Sequence, residues 1–164
     1  MKITVLNTGG TFNKRYNPIL GKLEVPTDNI ALDKIVKSCH NVEFDIKNIV
    51  SKDSLEFTDT DRETILENIL NSTSNKIIII HGTDTVDLTA KFIEDKVKEK
   101  KIVFTGAMVP MSIDEVEATM NFSQAIGFLN APIQNGIYLS MHGVVVEHSK
   151  LVKNRNVGQF LVKN

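Results

Sequence analysis

The chain has 164 residues, about the length of one domain, and its 19 basic and 20 acidic side chains leave a formal net charge of −1. Such a balance offers no overall field to hold nucleic acid or an anionic membrane, so small-molecule chemistry is the expectation. Cys39 is the only cysteine, which excludes an internal disulfide and a thiolate metal cluster and fits a reducing compartment.

The apolar stretch in Met1–Asn7 is too short for a signal segment or a membrane span, so cytoplasmic residence is expected. Ile3–Leu6 reads as a first strand. Thr8–Asp28 follows without clear periodicity and carries Gly9, Gly10, Pro18, Gly21 and Pro26, and an irregular stretch of that length inside a compact domain is usually functional. Ile30, Asp33, Lys34 and Lys37 frame a short helix, and Val42–Ile49 a second strand. After the irregular Ser51–Asp59, the run Thr58-Asp59-Thr60-Asp61 offers an N-cap to a helix with apolar Ile65, Leu66, Ile69 and Leu70.

Lys76–His81 is a third strand whose four adjacent isoleucines predict burial on both faces. Thr85 is the expected cap of the next helix, with an apolar stripe of Val86, Ala90, Ile93 and Val97. Lys101–Thr105 is a fourth strand, followed by irregular Gly106–Glu115. Val116, Met120, Phe122, Ala125, Ile126 and Leu129 form a fourth helix that ends at Asn130 and Pro132. Gly136–Met141 and the short Val144–Val146 complete the strands, and His148–Asn164 is irregular. This alternation predicts an α/β fold: a three-layer αβα sandwich with a mostly parallel, Rossmann-like sheet, as a single domain over 1–164.

Ligands of open parallel sheets bind beyond the carboxyl ends of the strands, and three such ends carry polar or glycine-rich motifs. After the first strand, Thr8-Gly9-Gly10-Thr11 allows tight turning and close backbone approach, but it lacks the spacing of a dinucleotide site. After the third, His81-Gly82-Thr83-Asp84-Thr85 gathers hydroxyls and a carboxylate at a helix start, whose backbone N–H groups suit a developing oxyanion. His81 is expected to be a hydrogen-bonded structural histidine rather than a base. After the fourth, Thr105-Gly106-Ala107-Met108-Val109-Pro110 shapes the site and has no acid or base of its own.

Together and in this order, TGGT, HGTDT and TGAMxP resemble the bacterial-type L-asparaginase and glutaminase family, and the resemblance covers nearly the whole chain as that family's N-terminal domain. It implies hydrolysis of the side-chain amide of asparagine, or a related amide such as glutamine, by a threonine nucleophile, with no metal or organic cofactor. Thr11 is the implied nucleophile on a mobile loop that also carries Tyr16, and Thr83 is the second essential threonine, backed by Asp84. Lys153, in Leu151-Val152-Lys153-Asn154, is the implied partner of Thr83. Ser54 holds the substrate carboxylate, with Gly10 and Gly82 giving the backbone access that substrate binding needs. Such a set is chemically sound, because a threonine hydroxyl needs a base, and a desolvated lysine oriented by a carboxylate supplies one.

The sequence departs from the family in three places. Glu117-Ala118-Thr119 replaces its acidic and glycine residues before the fourth helix, and Leu55 stands where a polar residue is common. The family's smaller C-terminal domain, which completes the site of a neighbouring subunit, is expected to be absent, so that Asp84 alone would meet the substrate's amino end. A homo-oligomer is expected, to cover apolar surface. Two alternatives stand beside the enzyme: a non-catalytic module that binds an acidic amino acid, and a subunit that needs a partner chain.

Overall fold

A computed structural model describes residues 1–163. Its main sheet has six strands: β1 (Lys2–Gly9), β4 (Glu43–Lys52), β5 (Lys76–Ile80), β6 (Lys101–Thr105), β7 (Gly136–Met141) and β8 (Val144–Glu147), in the order β4-β1-β5-β6-β7-β8. The first five run parallel, and β8 is antiparallel to β7. Four α-helices connect them: α1 (Ile30–Val36), α2 (Asp59–Leu70), α3 (Val86–Glu94) and α4 (Glu115–Asn130).

The isoleucine run explains the three layers. Ile77 and Ile79 face a cluster with Ile65 and Ile69 of α2 and Val86, Ala90 and Ile93 of α3. Ile78 and Ile80 face the opposite cluster, with Leu32 and Ile35 of α1 and Phe122, Ala125 and Leu129 of α4. All four isoleucines are fully buried, and each contributes about 1.5–3 kcal/mol of hydrophobic stabilisation. Residues of period two thus feed both helical layers from one central strand.

Thr58 caps α2 in a reciprocal box, its hydroxyl accepting from the Asp61 N–H while Asp61 accepts from the Thr58 N–H. Asp61 is also held by Lys52 Nζ at 2.7 and 2.9 Å. Its carboxyl lies below the ordinary value: burial pushes it up, and the bonds from Lys52 and Thr58 outweigh that.

Several expectations need correction. Thr8–Asp28 contains a hairpin, β2 (Arg15–Asn17) paired antiparallel with β3 (Lys22–Glu24), closed by Asn17 Oδ1 accepting from the N–H groups of Ile19 and Leu20. The stretch after residue 148 contains a second hairpin, β9 (Leu151–Asn154) with β10 (Gln159–Val162). Thr85 stands at the start of α3, but its hydroxyl donates to the Ser54 carbonyl at 2.8 Å and makes no cap bond. In α4, Val116 and Met120 are exposed and the inward face is Ala118, Phe122, Ala125 and Leu129. The third strand ends at Ile80, one residue before His81.

Candidate active site

Because β1, β4, β5 and β6 are parallel, the loops that follow them emerge at one end of the sheet, and direct bonds lock them together. At the tip of β1, Asn7 and Asn13 exchange side-chain bonds, Asn13 Nδ2 reaches the Gly9 carbonyl at 2.7 Å, and Thr8 Oγ1 donates to the Ile80 carbonyl at 2.7 Å. This braces a 3₁₀ turn over Thr11–Asn13. Met111 N–H donates to the Phe12 carbonyl and Ser112 Oγ to the Lys14 carbonyl, tying the loop after β6 to that turn. Lys14 Nζ in turn pairs with Asp53, after β4.

Two glycines set the central packing. Gly10 has φ +72°, and a Cβ there would lie 2.5 Å from Gly82 N and Cα; a Cβ on Gly82 would lie 2.5 Å from Ser54 Oγ. The backbones before Thr11 and Thr83 therefore touch, and Ser54 packs on the second. Ser54 is 1% exposed, and its Oγ has no hydrogen-bond partner among the described residues. An orphaned buried hydroxyl costs about 1–3 kcal/mol, a cost that a ligand oxygen would remove.

Thr83 is buried, and its Oγ1 accepts from Lys153 Nζ at 2.8 Å; the same Nζ donates to Asp84 Oδ1 at 2.9 Å. The chain reaches this point by an indirect route. β8 carries it back toward the amino end of the sheet, and β9 returns it to the site with Lys153 near its end. Arg155 is the residue that sequence reasoning missed: its guanidinium donates to Asp84 Oδ1 and to the Asp84 carbonyl. A second basic residue two positions after Lys153 was its only signal. Burial pushes the Asp84 carboxyl up, but the bonds from Lys153 and Arg155 outweigh it and hold the group below its ordinary value. A cavity of about 380 Å³ opens on Thr83, Asp84, Lys153 and Arg155; Thr11 and Ser54 are not in its lining and join it through the Gly10–Gly82 contact.

Tyr16 is not brought to this cluster: it lies on β2, opposite Leu23, and is 64% exposed. His81 is structural. Its Nδ1 bonds the Gly82 carbonyl at 2.8 Å, which requires the proton on Nδ1 and leaves Nε2 to accept from Thr89 Oγ1 at 2.8 Å. Phe57 and Phe104 pack edge-on against the ring. Burial, with Arg62 adding to it, lowers the His81 pKa to about 4. Among the described residues no group of three or more His, Cys, Asp or Glu side chains is placed to hold a metal ion, and no helix is long and apolar enough to cross a membrane.

A family model described as Asparaginase, N-terminal, matches residues 2–159. The chain belongs to the asparaginase family. An L-asparaginase of Thermococcus kodakarensis is 25% identical over 162 residues, 96% of this chain and 49% of that protein. A glutamyl-tRNA(Gln) amidotransferase component from Methanococcus maripaludis is 30% identical over 147 residues, 86% of this chain and 35% of that protein. The asparaginase domain thus spans about half the length of the first relative and about a third of the second. A solved L-asparaginase from Thermococcus kodakarensis superposes with a TM-score of 0.87 at 23% identity, covering 100% of this chain and 52% of that one. A probable cytoplasmic L-asparaginase from Campylobacter jejuni gives a TM-score of 0.80 at 21% identity, covering 97% and 52%. These two likenesses establish the asparaginase N-terminal fold.

Proposed function

We propose that this domain hydrolyses the side-chain amide of L-asparagine or a related amide to a carboxylate and ammonia. The observation that carries this reading is Lys153 Nζ, placed 2.8 Å from Thr83 Oγ1 and 2.9 Å from Asp84 Oδ1 in a chain of the asparaginase family. Lys153 Nζ and Asp84 hold the Thr83 hydroxyl in a fixed orientation, from which it relays the proton that the nucleophile gives up. Thr11, on the braced turn beside Gly82, is the nucleophile; it attacks the amide carbon, and ammonia leaves from the tetrahedral intermediate before water releases the carboxylate. Backbone N–H groups at the Gly10 and Gly82 turns stabilise the oxyanion, worth on the order of 3 kcal/mol per donor. The unpartnered Ser54 Oγ suits a substrate carboxylate. Tyr16 serves this reaction only if the β2–β3 hairpin folds toward Thr11.

Purified protein is expected to release ammonia from asparagine and more slowly from glutamine, with Thr11→Ala and Thr83→Val abolishing release. Turnover no greater than that of Thr11→Ala across a broad amide panel would sink the enzyme reading. Similarity to a component of a tRNA amidotransferase supports a second reading, in which a partner chain is needed and uses the ammonia. It predicts little ammonia release from the isolated chain, whereas saturable aspartate binding in calorimetry without release favours a module that only binds an acidic amino acid. Exposed Ile19, Leu20, Val152 and Leu161 on the two hairpins support self-association; sedimentation showing only monomer at micromolar concentration counts against it.

A further inference from the structure

We infer that His142, held by Glu117, is a positioning residue for the reaction: it fixes the β9–β10 hairpin at the residue paired with Lys153 and so sets that lysine on Thr83. This rests on the amide-hydrolysis reading. His142 stands in the turn between β7 and β8, and among the described residues it is the one residue other than glycine with positive φ, +51°. An L side chain is strained there, and such strain persists only where the surroundings over-determine it. The backbone N–H of His142 donates to Asn121 Oδ1 at 2.9 Å. Its ring Nδ1 accepts from the Phe160 N–H at 3.2 Å, which puts the ring proton on Nε2, and Nε2 donates to Glu117 Oε1 at 3.0 Å.

These partners belong to two walls of the site. Glu117, in the first turn of α4, also accepts from the N–H groups of Met108 and Val109 at 2.9 and 3.0 Å, and Asn121 Nδ2 donates to the Gly106 carbonyl at 3.0 Å. Both residues therefore hold the loop after β6. That loop is seated against the site, since a Cβ on Gly106 would lie 2.5 Å from the His81 carbonyl oxygen and 3.6 Å from Thr83 Cγ2.

Phe160 belongs to the other wall, as the cross-strand partner of Lys153. Its N–H points away from β9, to His142, so the two residues form a non-hydrogen-bonded pair, whose side chains share one face at the closest cross-strand spacing. Phe160 is buried, and the His142 ring meets it edge-on, 6.1 Å between centroids. Strands β9 and β10 form a sheet of their own, and a two-stranded sheet is marginal without outside tethers. The contacts close on themselves: the Gly106 loop backs Thr83, Glu117 joins that loop to His142, His142 holds Phe160, and Lys153 opposite Phe160 returns to Thr83 Oγ1.

The experiment measures amide hydrogen exchange over β9 and β10, with kcat and KM for ammonia release from L-asparagine, on the unaltered chain, His142→Ala, His142→Asn and His142→Gln. Alanine removes both ring bonds. Asparagine places Oδ1 where Nδ1 stands, keeps the acceptor for Phe160 and tolerates positive φ; glutamine keeps a donor within reach of Glu117 and loses that acceptor. His142→Ala and His142→Gln are expected to lower hairpin protection about tenfold and kcat by about the same factor, with KM within about twofold, and His142→Asn to recover most of both. Amides of β5 and β6 keep their protection. Glutamine carries the comparison if the alanine variant does not fold.

His142→Asn as impaired as His142→Ala, hairpin protection unmoved in the alanine and glutamine variants, or a rise in KM with kcat unchanged would overturn the inference. Absence of Thr11-dependent ammonia release from the unaltered chain removes the hydrolysis reading, and the exchange pattern then decides alone whether His142 sets the hairpin that carries Lys153. Release with rate and protection indifferent to all three substitutions leaves hydrolysis standing and removes the role of His142.

Discussion

His81 makes the chain's stability depend on pH in a window where few other groups act. Its folded pKa of about 4 lies below the ordinary 6.5 because the ring is fully buried, so the unfolded chain takes up the proton first. The stabilisation is complete above about pH 6.5 and is lost as pH falls through the folded value. Carried through the linkage relation, the two values amount to a loss of about 3 kcal/mol by pH 4. Asp61 and Asp84 also lie below their ordinary 3.8, so their contributions are lost only below that value and leave the window clear. The assay is urea denaturation at closely spaced pH values, on the unaltered chain and on His81→Asn. Asparagine keeps a donor for the Gly82 carbonyl and cannot take up a proton, so the variant starts less stable and stays level across the window. An unaltered chain whose stability is level between pH 6.5 and 4, or a variant with the same slope, would refute the reasoning.

Other perturbations separate site from scaffold. Gly10→Ala places a Cβ 2.5 Å from Gly82 backbone atoms at φ +72°; a loss of about 2 kcal/mol or more in denaturant unfolding is expected, together with loss of ammonia release as Thr11 is displaced. Lys153→Met removes the donor to Thr83 and Asp84; turnover is expected to fall about a hundredfold to ten-thousandfold with the fold retained by circular dichroism. Asp61→Ala opens the α2 capping box and frees Lys52, and thermal unfolding should report a loss of about 1–2 kcal/mol. Raising the pH should not restore that loss, because the carboxylate is gone.

The sheet was legible because its signal is local: runs such as Ile77–Ile80 and Ile102–Phe104 are buried on both sides, and Thr58 with Asp61 marks a helix start within four residues. The two hairpins were not. Their strands are three and four residues long, and Tyr16, Leu23, Val152 and Leu161 are exposed, so no alternation between core and solvent shows in the letters. At the site, Thr11, Ser54, Thr83, Asp84 and Lys153 came from motif resemblance, and the structure joins Lys153 to Thr83 and Asp84 across about seventy positions. Arg155 escaped because an exposed arginine on a turn has no pattern. Its role exists only once folding sets it against Asp84. Val116 and Met120 misled for the opposite reason, as apolar letters at helical spacing that lie on the outer face of α4.

Strand β1 precedes β4 and β5 in the chain yet lies between them in the sheet. Its pairing with β5 joins Thr4 to Ile77 and Asn7 to Ile80, residues about seventy positions apart. While the polypeptide is being synthesised, β1 can gain β4 as a neighbour first and must keep its other edge open until the isoleucine strand leaves the ribosome. The contact of Gly10 with Gly82 closes later still, one turn of chain after β5. The threonine pair thus rests on a contact between segments about seventy positions apart in sequence: residues 1–80 hold Thr11 but lack the Gly82 backbone against which its turn is seated.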